Sequence, residues 1–188
     1  TNVGGNWNTF MGFEAGLSNT GSDNTFIGYK AGRAHQLKGG NVYLGSKAGE
    51  LALDGEQNVY IGESSGANAT DASKNVFIGY LTGYTNSIGS SNVFIGNVSG
   101  WKNSTGMSNV FLGDSSGYEN TSSFNVFLGK GSGKVNTGQF NAFMGNQAGY
   151  KNTTGENNVF IGNQTGRNST TGSYNTYLGY QSGFSSNS

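Results

Sequence analysis

A five-residue phrase recurs eleven times in this chain, and it fixes the class of fold before anything else is considered. The phrase is Asn, a small or β-branched residue, Phe or Tyr, then Ile, Leu or Met, then Gly. It starts at Asn8, Asn24, Asn41, Asn58, Asn75, Asn92, Asn109, Asn125, Asn141, Asn158 and Asn175, in steps of 16 or 17 residues. Four residues after each pentad glycine stands a second one, from Gly16 and Gly32 through to Gly183, without exception. A fixed period of this kind is the mark of a repeat architecture. A unit of 17 residues is too short for a pair of helices.

The pentad is rich in β-branched and aromatic residues, which suit a pleated strand. The rest of each unit, such as GNQAGYKNTTGEN over 145–157, is small, polar and glycine-rich. It reads as turns with a weaker second strand. The predicted fold is therefore all-β: a parallel β-roll or β-helix of about eleven coils. Each coil climbs about 4.8 Å, giving a rod roughly 50 Å long. Residues 8–188 form a single repeat array, and residues 1–7 read as the end of a preceding repeat. With the pattern cut at both ends, the chain reads as a fragment of a longer fibre. The leading Asn is expected to stack into a ladder whose amides bond the neighbouring coils. The two glycines are expected where the turns need positive φ or a close backbone approach.

Side chains alternate across a strand. We place pentad positions two and four, such as Val93 and Ile95, in the narrow interior of the coil. Position three then faces outward as a stripe of rings: Phe10, Phe26, Tyr43, Tyr60, Phe77, Phe94, Phe111, Phe127, Phe143, Phe160 and Tyr177. A stripe that long exceeds the apolar patches monomers expose. One coil also looks under-cored. Three large apolar side chains contribute about 1.5–3 kcal/mol each, against a cost of roughly 25 kcal/mol for ordering 17 residues. The expectation is an obligate parallel homo-oligomer with the rings at its interface, and a threefold is the simplest closed arrangement.

The pentads NVFIG (75–79, 92–96, 158–162), NVFLG (109–113, 125–129) and NTFIG (24–28) resemble the Asn-Ser-Val-Ala-Ile-Gly repeats of YadA-like heads in trimeric autotransporter adhesins. The longer unit, with its Ala-Gly or Ser-Gly, is also similar to repeats of trimeric tail-fibre-type proteins, including the mosaic adhesive trimers of predatory bacteria. The resemblance covers residues 8–188. It implies a left-handed β-roll assembled as a homotrimer, on an extracellular fibre that binds a host or prey cell surface. This sequence differs in its longer repeat and in carrying Phe or Tyr where that family has a small residue. No binding residue carries over.

Composition excludes several alternatives. Ten basic side chains balance ten acidic ones, which argues against nucleic acid as a partner. No apolar run is long enough to insert in a membrane. No cysteine is present, so neither a disulfide framework nor a thiolate metal site is expected. The carboxylates recur at no fixed offset, unlike those of a calcium roll. No P-loop lysine follows the Gly-x-x-x-Gly matches. No metal, cofactor or enzymatic activity is expected; a glycan depolymerase is the third and least favoured reading, because Glu63 and Asp114 share a repeat position but stand three coils apart.

Binding candidates are aromatic. Tyr84, Trp101, Tyr118 and Tyr150 follow the second glycine of their units, with Phe184 at the end, and could offer ring faces to a cell-surface glycan. A carbohydrate-binding module is accordingly the alternative reading. Phe13, Tyr29, Tyr80 and Tyr180, after the pentad glycine, form a less coherent set. The Thr/Ser clusters at 104–105, 153–154 and 169–171 are too interrupted for an ice-binding face. His35, the one histidine, is expected in a solvated loop.

Overall fold

The computed structural model describes residues 4–186. Residues 1–3 of the segment assigned to a preceding repeat, and residues 187–188 of the array, lie outside them. The pentads form eleven three-residue strands: β1 (Thr9–Met11), β2 (Thr25–Ile27), β3 (Val42–Leu44), β4 (Val59–Ile61), β5 (Val76–Ile78), β6 (Val93–Ile95), β7 (Val110–Leu112), β8 (Val126–Leu128), β9 (Ala142–Met144), β10 (Val159–Ile161) and β11 (Thr176–Leu178). They pair in chain order into one parallel sheet. Each pentad residue lies beside its counterpart, as Phe77 beside Phe94 and Ile78 beside Ile95. The fold is a parallel β-solenoid of about ten turns. The expected second strand is absent among the described residues, where turns complete each coil. The glycine-rich segments still bond from coil to coil, as Gly83 N–H does to the Ser99 carbonyl at 2.9 Å.

The structure inverts the expected alternation. The rings of Phe26, Tyr43, Tyr60, Phe77, Phe94, Phe111, Phe127, Phe143 and Phe160 are wholly buried inside the coil of one chain. Phe10 and Tyr177, in the first and last strands, are partly covered. Positions two and four face outward instead, and Met11, Leu44, Leu112, Met144 and Leu178 are exposed. The reason is thickness. A coil is one strand spacing deep, about 4.8 Å, and a flat ring lying across it fills its width without striking the coils above and below. The eleven rings stack as a column, with centroids 4.6 Å apart between Phe26 and Tyr43 and 5.1 Å between Phe10 and Phe26. Each inner ring thus covers both its faces with its neighbours.

The second glycine closes the coil onto this column. Gly49 has φ +58°, and a Cβ there would lie 2.7 Å from the Tyr43 ring. Glycine meets both demands, backbone conformation and close approach.

The asparagine ladder forms as expected. In all ten steps the Asn backbone N–H donates to the Oδ1 of the preceding Asn, at 2.9–3.1 Å. The Nδ2 donates to a carbonyl near the end of its own coil, as Asn58 does to Ala72 at 2.8 Å and Asn92 to Gly106 at 2.8 Å. One amide therefore joins successive coils and ties the two ends of its own coil together. Small side chains line the wall ahead of the second glycine. Ser65 and Ser132 hydroxyls donate to the Phe77 and Phe143 carbonyls. A low apolar content suffices because one ring and the hydrogen-bonded ladder amide fill much of each narrow coil, although the second interior amide is less well satisfied, Asn152 having neither polar atom paired.

Candidate functional site

The residue after the second glycine stands on the outer wall and is at least partly exposed in every coil but the fourth, where Ala67 is buried. From the fifth coil onward it is Tyr84, Trp101, Tyr118, Lys134, Tyr150, Arg167 and Phe184 in turn. All seven are half-buried. Tyr84 stacks on Trp101 at 6.0 Å, and Trp101 on Tyr118 at 5.2 Å, with planes within 8° and 11° of parallel. The column continues through cations. The Lys134 ammonium lies 5.8 Å from the Tyr118 ring centre and 5.3 Å from that of Tyr150. The Arg167 guanidinium lies 5.2 Å from Tyr150 and 5.9 Å from Phe184. Such contacts each contribute about 0.5–1 kcal/mol at exposed sites.

The structure brings Tyr84, Trp101, Tyr118 and Tyr150 into one column, but it does not offer their faces. Neighbouring rings and cations occupy both faces of Trp101, Tyr118 and Tyr150, while Tyr84, at the end of the column, has one face on Trp101 and the other toward the Ala67 coil. Sequence reasoning omitted Lys134 and Arg167. Their signal was present, since they hold the same repeat position as Tyr84.

Charge along this wall is uneven. Arg33 occupies the Arg167 position eight coils earlier in the array and pairs its Nε with the Glu14 carboxylate at 2.7 Å. Arg167 makes the corresponding contact to the neutral Gln147 Oε1 at 2.9 Å. Lys102 pairs with Glu119 at 2.7 Å, a contact that raises the lysine pKa. Lys134 instead donates to the Tyr150 hydroxyl at 3.2 Å. Among the described residues neither Lys134 nor Arg167 lies in an ion pair. Asp114 is held below the ordinary carboxylate range by hydrogen bonds from Ser115 and Asn97, helped by the charges of Lys130 and Lys134.

The other candidates are dispersed. Phe13 and Tyr29 stack at 5.7 Å, but Tyr80 and Tyr180 stand coils away and exposed. A pair missed in the sequence, Phe124 and Phe140, stacks at 5.2 Å just ahead of two pentads.

His35 is not solvated. It is fully buried, with its ring edge-on to Phe26 and Tyr43. Its Nε2 lies 2.8 Å from the Lys38 carbonyl, which assigns the proton to that nitrogen. Burial lowers its pKa below the usual 6.5; the Lys38 carbonyl, the Asp54 charge and the Ala52 carbonyl pull the other way. It takes the interior position held elsewhere by Asn19, Asn86 and Asn136, which donate to the carbonyls of Gly21, Gly89 and Gly138.

Among the described residues no cluster of His, Asp and Glu is placed to hold a metal ion, and no pocket opens. Compared with known proteins, the sequence matches no family model, no curated protein and no solved structure.

Proposed function

We propose that this chain is a structural and adhesive segment of an extracellular fibre, assembled from three parallel copies packed through the outer face of the sheet. The observation that carries this reading is the chemistry of that face. Pentad positions two and four present Val, Thr or Ala in one column and Ile, Leu or Met in the other, with no charged side chain among the strands. Three residues by eleven strands make a flat strip of about 500 Å². Patches on monomers rarely exceed about 300–600 Å², and this one lacks the charges that blunt association. The occupant that fits is a second copy, because only another coil of the same rise repeats its ridges in step. Flat strips on three parallel rods converge on one axis and close the assembly.

The resemblance to trimeric adhesin heads supports the number three, the left-handed winding and the surface location. The role is mechanical: a stiff rod projects or contributes to recognition of a host or prey cell. Sedimentation of the intact chain tests it. Three times the 19.6 kDa chain mass is expected, falling to one for Ile61→Asp/Ile95→Asp with the β-signal kept. A wild-type chain that remains monomeric at tens of micromolar overturns the reading.

A further inference from the structure

The outer wall opposite in role to the sheet face carries a second surface, and its chemistry is specific. Along the stacked column itself, from Trp101 to Phe184, every polar side-chain group can donate a hydrogen bond, and the remainder is the electropositive edge of a ring. The indole N–H, the phenol hydroxyls of Tyr118 and Tyr150, and the cations Lys134 and Arg167 form this set. The faces of Trp101, Tyr118 and Tyr150 are used within the column, so neither a nucleobase nor a neutral sugar has a free face to stack on there. What the column lacks is a carboxylate: its two cations meet only neutral acceptors, the Tyr150 hydroxyl, Gln147 Oε1 and Asn168 Oδ1. The Arg33 position shows that this repeat supplies a carboxylate when it satisfies its own arginine; at Arg167 that carboxylate is replaced by Gln147. The local balance agrees, with five basic and three acidic side chains over 101–188 against five and seven over 1–100.

The cations are also held in place. Lys134 lies between two tyrosines, and Arg167 is gripped by Tyr150, Phe184 and Gln147. A pre-oriented cation loses less freedom when it meets an anion. Two coils, about 10 Å, separate them along the rod.

We propose that this column binds an acidic polysaccharide laid along the rod, with carboxylate or sulfate groups meeting Lys134 and Arg167 and sugar hydroxyls meeting the phenol and indole donors. A linear polymer suits a linear column: successive sugars can follow successive coils, whereas a folded acidic protein would touch only part of it. The inference rests on the adhesive reading of the chain and gives it a ligand class.

The test uses the intact chain and immobilised heparin, hyaluronate, dextran, polyglutamate and single-stranded DNA, at two salt concentrations. Binding to heparin or hyaluronate is expected, weakening as salt rises, with none to dextran. Lys134→Gln/Arg167→Gln is expected to lose about tenfold or more in affinity, and Lys47→Gln/Lys74→Gln to lose less than twofold. Heparin alone binding assigns sulfate as the recognised group, and hyaluronate alone assigns carboxylate. Equal binding to polyglutamate or DNA, binding to dextran, equal loss in both variants, or no binding to any acidic glycan overturns the proposal. If the first variant fails to fold, Lys134→Arg/Arg167→Lys must retain binding while Trp101→Ala/Tyr118→Ala reduces it. Sedimentation of the same samples separates the two readings: a trimer that binds no acidic glycan defeats this inference alone, and a monomer that binds one defeats the assembly alone.

Discussion

Replacing Phe94 by alanine probes the ring column at its centre. Phe94 is fully buried and stacks on Phe77 at 4.8 Å and on Phe111 at 4.7 Å. Truncating a buried Phe typically costs about 3–5 kcal/mol. Here the cost should sit in the upper half of that range, because two stacked contacts, worth about 0.5–1.5 kcal/mol each, are lost together. The gap cannot collapse readily, since the coils above and below are held at the strand spacing by in-register pairing. Phe10→Ala is the control. Phe10 stacks on Phe26 alone and is only partly covered, so roughly half the loss is expected. Because stability in a solenoid is close to a sum of local and nearest-neighbour terms, Phe94→Ala should also split denaturant unfolding into two transitions. Urea titration followed by far-UV circular dichroism reads both effects. A loss below about 1 kcal/mol at Phe94, or an equal loss at Phe10 and Phe94, refutes a core of stacked rings.

Asn92→Ala removes the acceptor for the Asn109 N–H and the donor to the Gly106 carbonyl. Two buried partners left unpaired should cost about 2–5 kcal/mol by urea titration, and a loss within 0.5 kcal/mol of zero contradicts the ladder's role. Burial lowers the His35 pKa, so the unfolded chain binds the proton more readily than the folded one. Stability should therefore be full above pH 6.5, the ordinary His value, and fall as pH drops below it. His35→Asn should flatten that part of the pH profile, and an unchanged profile counts against burial as the cause. The two wholly buried tyrosines, Tyr43 and Tyr60, share their coils with Ala52 and Ala69, where Phe coils carry Asn86 or Asn136. Ala69→Asn alone should overpack the coil and cost about 1–3 kcal/mol, with Tyr60→Phe restoring most of it; additive losses would show that the two positions do not share space.

The period made the solenoid legible in the sequence. The parallel strands, the asparagine ladder and the positive-φ glycines all follow from it. The direction of alternation was not legible. Val93, Phe94 and Ile95 are all apolar, so the pattern names no inner face, and volume alone favoured the aliphatics inside. What decides is the shape of a slot one strand spacing thick, which a flat ring fills and which repeats identically in the next coil. The apparent shortage of core has the same origin: side chains counted coil by coil leave out the contacts between coils, where each inner ring has both faces covered by its neighbours. His35 was misplaced because its unit, RAHQLKGG, departs from the consensus, although its offset from Gly32 is the one that places Asn86 inside. On the outer wall, Trp101 and the tyrosines stood out as aromatics. The cations between them did not, because a search by residue type passes over Lys134 and Arg167 where a search by repeat position finds them.

The central claim is that the ring column is the dry interior of a single winding and does not depend on a partner. It is tested most directly with fluorinated phenylalanine at position 94 in the association-deficient Ile61→Asp/Ile95→Asp chain. We expect a folded monomer whose fluorine resonance does not move when H2O is exchanged for D2O. A resonance that shifts as it does in the free amino acid, or a chain that unfolds once it cannot associate, contradicts the account.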